Sequence, residues 1–457
     1  MSTEYRIQNP ATGETVKTYP TATDEEITRA IDNAAGAYAD WAAKSFDERG
    51  AALHRLAQAL RDNEEKLSTL SATEMGKPYE ELIEEIQFSA EIIDYYADNG
   101  ADFAADQSIP TPDGEAVIRR LPIGALLGIM PWNFPYYQVA RFIAPNLMLG
   151  NTIILKHAEI CPGSAEAIAE LCAEAGLPEG VYNNVFASHD QVSTIIESPK
   201  IQGVSLTGSE RAGAAVAEQA GRNLKKVVLE LGGTDPYIVL DTDDIAAAAK
   251  LAWQTRMVNT GQACNSNKRI IVMDDIYEDF VSELVSLASG MRPTTFDQVD
   301  ENSYCPLSSR QAAEDLNEQL RAAVAEGANL RVGGELSETG AYVSPAVITD
   351  IPRGSDSYYQ EFFGPVAEVY RVSSDEEAVE LANDSQYGLG GAVFASDEER
   401  ARRVAARLEV GMANVNTPAG EGAELPFGGV KRSGYGRELG PLGMDEFVNK
   451  QMYYVAK

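Results

Sequence analysis

The stretch Ala125-Leu126-Leu127-Gly128-Ile129-Met130-Pro131-Trp132-Asn133-Phe134-Pro135 decides the fold. Its apolar run reads as a buried strand, and the Pro-Trp-Asn-Phe-Pro segment after it stops the strand and delivers polar groups at its carboxyl end. The same rhythm then repeats. A helix is predicted over about 136–149, and a strand at Thr152-Ile153-Ile154-Leu155 ends in Lys156. A helix over 164–175, a strand over 181–185, a short helix over 190–197 and a strand at Gly203-Val204-Ser205-Leu206 follow. Alternation of this kind predicts an α/β fold with a parallel sheet covered on both faces. In such sheets ligands bind beyond the carboxyl ends of the strands, which nominates Trp132, Asn133, Lys156 and Ser209.

Thr207-Gly208-Ser209 lies between the last of these strands and an alanine-rich helix, where free backbone N–H groups can face a phosphate. It is not a Walker A loop, because Ala214 stands where the lysine belongs, and it is not GxGxxG. Its place in the series points to a nucleotide, although glycine at a strand–helix turn is often only geometry.

Upstream, Thr23 with Glu26 and Ser45 with Glu48 read as capping boxes opening amphipathic helices, so the first hundred residues are mainly helical. Downstream of Gly233 a second αβ series begins, with strands expected over 236–240, 269–273, 346–348, 367–370 and 392–394. Two further strand-like segments, 115–121 and 451–456, stand apart from both series. The reading is a dinucleotide-type parallel-sheet domain, a second α/β domain and a small β element.

Three segments carry chemistry. Asn259-Thr260-Gly261-Gln262-Ala263-Cys264 places a cysteine in a polar, glycine-containing loop, where a thiol can be reached and its thiolate stabilised. Glu230-Leu231-Gly232-Gly233 sets a carboxylate before a glycine pair, and Asn133 is held between Pro131 and Pro135 as a rigid amide donor would be. A nucleophile, a base and an oxyanion donor are all present. Taken alone, Cys264 would more often be a buried small hydrophobe. The other cysteines, Cys161, Cys172 and Cys305, are scattered, with neither a disulfide framework nor metal-ligand spacing around them. With His54, His157 and His189 as the only histidines, Ser-His-Asp and Cys-His mechanisms have little to draw on. No metal site is expected.

The 70 acidic residues against 37 basic ones give a net charge of −33, which repels nucleic acid and anionic membrane surfaces. Acidity spread this evenly predicts a solvated surface suited to high salt, where screening removes self-repulsion. There is no signal-peptide pattern and no run long enough to span a bilayer, so a cytoplasmic setting is expected.

Together these segments resemble the aldehyde dehydrogenase family. The resemblance rests on Pro-Trp-Asn-Phe-Pro from Pro131, Leu-Lys-x-x-Glu ending at Glu159, Thr-Gly-Ser at Ser209 and Glu-Leu-Gly-Gly from Glu230. It continues through Gly-Gln-x-Cys ending at Cys264, Glu-Phe-Phe-Gly-Pro-Val from Glu361, and Pro-Phe-Gly-Gly-Val-Lys-Arg-Ser-Gly from Pro426. The resemblance implies a cofactor domain over 1–112 and 125–232, a catalytic domain over 233–436, and oligomerisation strands within 113–124 and 437–457 of a homodimer or homotetramer. It also implies that Cys264 attacks an aldehyde, that Asn133 and the Cys264 N–H hold the oxyanion, and that Glu230 activates water against the thioester. Glu230 favours water over CoA as acyl acceptor, and its presence with Cys264 argues against a catalytically silent structural relative.

For the cofactor, the resemblance places Lys156 and Glu159 on the adenosine ribose, Gly208 and Ser209 near the pyrophosphate and Trp132 beside the dinucleotide. Leu231 and Phe363 would contact the nicotinamide portion and Glu361 its ribose. A carboxylate at Glu159 favours NAD, with NADP also possible. His157, where many relatives have proline, and Ala187-Ser188-His189, which lacks a common glycine, depart from the family pattern. Arg141 stands where succinate-semialdehyde dehydrogenases have arginine and could pair with a distal carboxylate, the alternative being a surface salt bridge. Val258 replaces a second arginine of some such enzymes, and Ser266 replaces a second cysteine. Phe134 and Phe427, with Tyr137 a further candidate, would line the aldehyde tunnel. The expected substrate is succinate semialdehyde, with glutarate semialdehyde or a general aliphatic aldehyde as alternatives.

Overall fold

In the computed structural model, which describes residues 4–457, three sheets organise the chain. The first has six strands in the order Gly434–Tyr435, Lys226–Glu230, Ile201–Thr207, Ala125–Met130, Thr152–His157 and Tyr182–Asn184. All neighbours pair in parallel except the edge strand Gly434–Tyr435, which runs antiparallel and sets Gly434 against Glu230. Ala125–Met130 is almost wholly buried because helices cover both faces, which is why it reads as an unbroken apolar run. The helix after it, Tyr137–Leu149, is buried along its whole length, so its polar residues Gln138 and Arg141 are interior groups.

The amino-terminal helices form as their caps dictate. Thr23 and Glu26, and Ser45 and Glu48, complete reciprocal capping boxes at the starts of Asp24–Ala42 and Phe46–Asp62. The predicted short helix begins one residue earlier, at His189, because Ser188 caps it with Gln191 as the reciprocal partner. The missing family glycine at Ala187-Ser188-His189 is thus replaced by a helix cap.

The second sheet has seven strands: Asn329–Val332, Ala346–Thr349, Val366–Val372, Arg269–Met273, Pro236–Val239, Gly390–Phe394 and Met412–Val415. Only its first strand is antiparallel. Apolar clusters fill the space on either face. The third sheet pairs Val448–Ala456 with Gly114–Pro122 over nine residues, and Gln107–Ile109 adds to it. Met452, Tyr453, Tyr454 and Val455 are all exposed, alternating between its two faces. Among the described residues no helix is long and apolar enough to cross a membrane.

Candidate active site

The nucleophile sits after a strained turn. Asn259, Thr260 and Gly261 all have positive φ, at 49°, 51° and 76°. Two consecutive non-glycine residues in the left-handed region are held only where the surroundings over-determine them. Here they do. Glu81 accepts the Asn259 backbone N–H at 2.8 Å, and the Asn259 side chain donates to the Asn133 carbonyl at 2.9 Å. Gln262 donates to the Asn259 carbonyl at 3.0 Å and accepts the Ser308 N–H at 2.9 Å. Arg256, fully buried, donates to the carbonyls of Gly261, Phe362, Gly364 and Val366. The same turn therefore binds Phe362 and Gly364, neighbours of Glu361 and Phe363, to the cysteine loop.

Asn133 reaches this loop from the first sheet: its side-chain amide donates to the Gln262 carbonyl at 3.0 Å. An amide has a second N–H, and the Cys264 backbone N–H makes no hydrogen bond among the described residues. Burial pushes the Cys264 thiol up to about 11; Arg141 and Lys268 pull it down, while Glu361 and Glu230 add to the rise. The other three cysteines are buried, with thiols raised by the same cause.

Glu230 is the last residue of its strand and is 2 % exposed. Neither carboxyl oxygen has a hydrogen-bond partner. A buried carboxyl left unsatisfied is rare, and its natural reading is a group reserved for chemistry. Burial lifts it well above the usual carboxylate range; Arg141 opposes that and Glu438 reinforces it.

Arg141 is not on the surface. Its side chain is fully buried, so the surface-salt-bridge alternative is corrected: the helix carrying it is enclosed on all sides. One terminal nitrogen donates to Tyr137 Oη at 3.2 Å, the other to Gln138 Oε1 at 2.7 Å, and Nε is in ion-pair contact with Glu438. The guanidinium lies 4.3 Å from the Phe427 ring centroid and 4.9 Å from that of Tyr137. Phe134 packs edge-on against Tyr137 at 6.1 Å. Glu438 is the residue sequence reasoning missed. It falls in 437–457, the stretch assigned to oligomerisation, and reaches Arg141 because its backbone pairs with Phe427. No residue pattern within that stretch announces it.

Of the remaining nominated residues, Ser209 and Glu361 line a cleft of about 420 Å³ together with Gly232, Tyr387 and Arg432. Ser209 caps the helix Glu210–Arg222, whose amino-terminal end faces the cleft, and the Gly208 N–H donates to the Glu230 carbonyl. Lys156 is in ion-pair contact with Glu159, and His189 Nε2 lies 3.9 Å from the same Glu159 oxygen. Trp132 meets Phe363 edge-on at 5.8 Å. Leu231 is buried and hydrogen-bonded through its N–H to the Ser433 carbonyl. Gly232 has no room for a side chain, since an added Cβ would lie 2.3 Å from Glu361 Oε2. A helix amino terminus, a paired lysine and glutamate, and a carboxylate over a bare glycine fit a dinucleotide in donor chemistry. His157 instead serves packing: its ring bonds the Pro135 carbonyl at 3.0 Å, and burial lowers it to about 4. No cluster of metal-binding side chains exists among the described residues.

Comparison with known proteins identifies the family. The aldehyde dehydrogenase family model matches residues 1–453. A succinate-semialdehyde dehydrogenase of Deinococcus radiodurans, named as NADP(+)-dependent, is 50% identical over 446 residues, covering 97% of this chain and 93% of that protein. One of Escherichia coli K12, named as using NAD(P)+, is 40% identical, covering 97% and 96%. A crystal structure of the Streptococcus pyogenes succinic semialdehyde dehydrogenase with NADP+ superposes with a TM-score of 0.96 at 43% identity, covering 99% of this chain and 100% of that one. With the family model matching almost the whole chain and relatives of 40–50% identity covering it nearly end to end, the chain belongs to the aldehyde dehydrogenase family.

Proposed function

We propose that this enzyme oxidises succinate semialdehyde to succinate with NAD or NADP. The observation that carries the reading is Arg141, a buried guanidinium between two aromatic rings, whose charge pulls the Cys264 thiol down. Guanidinium offers five N–H groups. Tyr137 and Gln138 accept one each from the two terminal nitrogens and Glu438 neutralises Nε as an ion pair, which leaves one N–H on each terminal nitrogen for a substrate carboxylate. The names of the relatives support the same substrate.

Cys264 attacks the aldehyde carbonyl, and the Asn133 amide and Cys264 N–H receive the oxyanion. Lys156, Glu159, Ser209, Leu231, Glu361 and Phe363 would hold the dinucleotide, which when bound would supply the hydride acceptor. Glu230 takes the proton of the water that cleaves the Cys264 thioester. The expectation of NAD over NADP is broadened to both, since the relatives are named as using NADP(+) or NAD(P)+ and Lys156 neutralises the Glu159 charge that would repel a 2′-phosphate.

The cofactor unit comprises 1–112 and 125–232 and the catalytic unit most of 233–436, corrected at its end because Gly434–Tyr435 is the edge strand of the first sheet, beside Lys226–Glu230. The strands within 113–124 and 437–457 pair with a second copy through the exposed apolar side chains of Val448–Ala456. The setting is cytoplasmic and rich in salt.

The test compares succinate semialdehyde with butanal at high salt, with each cofactor, for the parent and Arg141→Ala. A charge-assisted anchor of roughly 2–3 kcal/mol gives the parent about a 100-fold preference in kcat/KM for the carboxylate, lost in the variant. Equal rates on both aldehydes in the parent would remove Arg141 from substrate recognition.

A further inference from the structure

Lys268 lies four positions beyond the nucleophile, just before the strand Arg269–Met273, and its side chain is fully buried. Its Nζ donates to the carbonyls of Ala263 at 2.7 Å and Cys264 at 2.9 Å, and lies 2.9 Å from Glu361 Oε1. An ammonium has three N–H groups, and these three acceptors use them all. Two acceptors belong to the peptides flanking the thiol. The third is the carboxylate placed above on the cofactor ribose, which also accepts the Gly233 N–H at 3.2 Å, three residues after Glu230. One buried cation therefore joins the nucleophile's backbone to a wall of the cofactor cleft.

Such a tie is costly if it is only mechanical. Burying an ammonium carries a desolvation penalty that a neutral donor would avoid. What the charge adds is a field at Cys264. The charged groups facing that thiol are Arg141 on the helix Tyr137–Leu149, Glu230 at its strand end, Glu361 on the loop before Val366–Val372, and Lys268 itself. Of the two cations, Arg141 is engaged by Glu438 and Lys268 by Glu361.

We propose that Lys268 is a positioning residue: it fixes the Cys264 peptide, supplies positive field to the thiolate, and transmits occupancy of the Glu361 end of the cofactor cleft to the nucleophile. The proposal rests on the assignment of Cys264 and Glu361 above. When ribose hydroxyls engage Glu361, its hold on Lys268 is shared, and the ammonium acts more strongly on the thiol.

The test is the pH profile of Cys264 alkylation by iodoacetamide in the full-length enzyme, with and without NADP+ and with no aldehyde present, the modified residue being read by mass spectrometry. Lys268→Gln keeps two N–H donors for the carbonyls but removes the charge. Its alkylation should be roughly tenfold slower on the rising limb, with the limb displaced to alkaline pH, as a shift of about one unit requires, and the response to NADP+ should vanish. Glu361→Gln leaves Lys268 without its counter-anion, so its limb should move to acid pH and its NADP+ response should also vanish. A Lys268→Gln profile coincident with the parent's overturns the proposal. So does a Glu361→Gln profile unmoved from the parent's, which decides the matter should Lys268→Gln not fold. Failure to oxidise succinate semialdehyde, with these shifts intact, would count against the substrate and leave Lys268's role standing.

Discussion

Glu230 shows how far a single residue's surroundings define its work. A carboxyl with both oxygens unpartnered and almost no exposure is a weak acid in the resting site, so its basic form appears only as pH rises or as water enters. Glu230→Gln should keep a stoichiometric burst of reduced cofactor in rapid mixing while steady turnover falls about 10²–10⁴-fold, the range for a lost general base. A steady rate equal to the parent's would place the base elsewhere. The carboxylate and the cysteine were both legible as chemistry-bearing residues before a glycine pair and after a polar loop. Glu438 was not, because a glutamate in a surface-rich acidic chain carries no local mark. Only its backbone pairing with Phe427 brings it against Arg141.

At the scale of an element, the turn before Cys264 explains why Gly261 stands there. Its φ of 76° suits glycine, and an added Cβ would lie 2.2 Å from the Gly364 carbonyl oxygen and 2.8 Å from the Arg256 guanidinium. Gly261→Ala should therefore push the turn off Arg256 and cost about 3 kcal/mol or more, with kcat falling more than cofactor affinity. Thermal unfolding together with steady-state kinetics checks this, and a variant with parental melting and turnover would show the turn to be pliant. The turn's glycine and polar residues were readable in sequence, but its strain was not. A run such as Asn259-Thr260-Gly261 has many unstrained conformations, and the left-handed one is selected by Glu81, Arg256 and Gln262, which lie far apart along the chain or act through carbonyls. The amino-terminal helices are the opposite case, since a capping box is written within four residues and forms locally.

Across the whole molecule, the charge of −33 predicts a stability that depends on salt. Molar salt screens repulsion beyond a few ångströms, so the melting temperature should rise between dilute buffer and molar potassium chloride. Equal melting temperatures in both would show that the acidic surface is neutral for stability. The surface ion pairs add little to this balance, because exposed pairs are worth about 0–1 kcal/mol and are screened by the same salt. Sequence alone determined the layers: the alternation of short apolar runs with amphipathic helices specifies parallel sheets, and strand–turn–helix junctions mark where ligands bind. It also determined the chemical inventory of cysteine, glutamate and asparagine. Tertiary structure decided which buried charges meet. Arg141 became an interior group facing Glu438 and Cys264, and Lys268 a link between the nucleophile and Glu361. The physical reason is that periodicity and caps are set by neighbours a few residues away. Burial and ion pairing are instead set by partners whose separation in sequence, 297 positions for Arg141 and Glu438, leaves no trace in either local pattern.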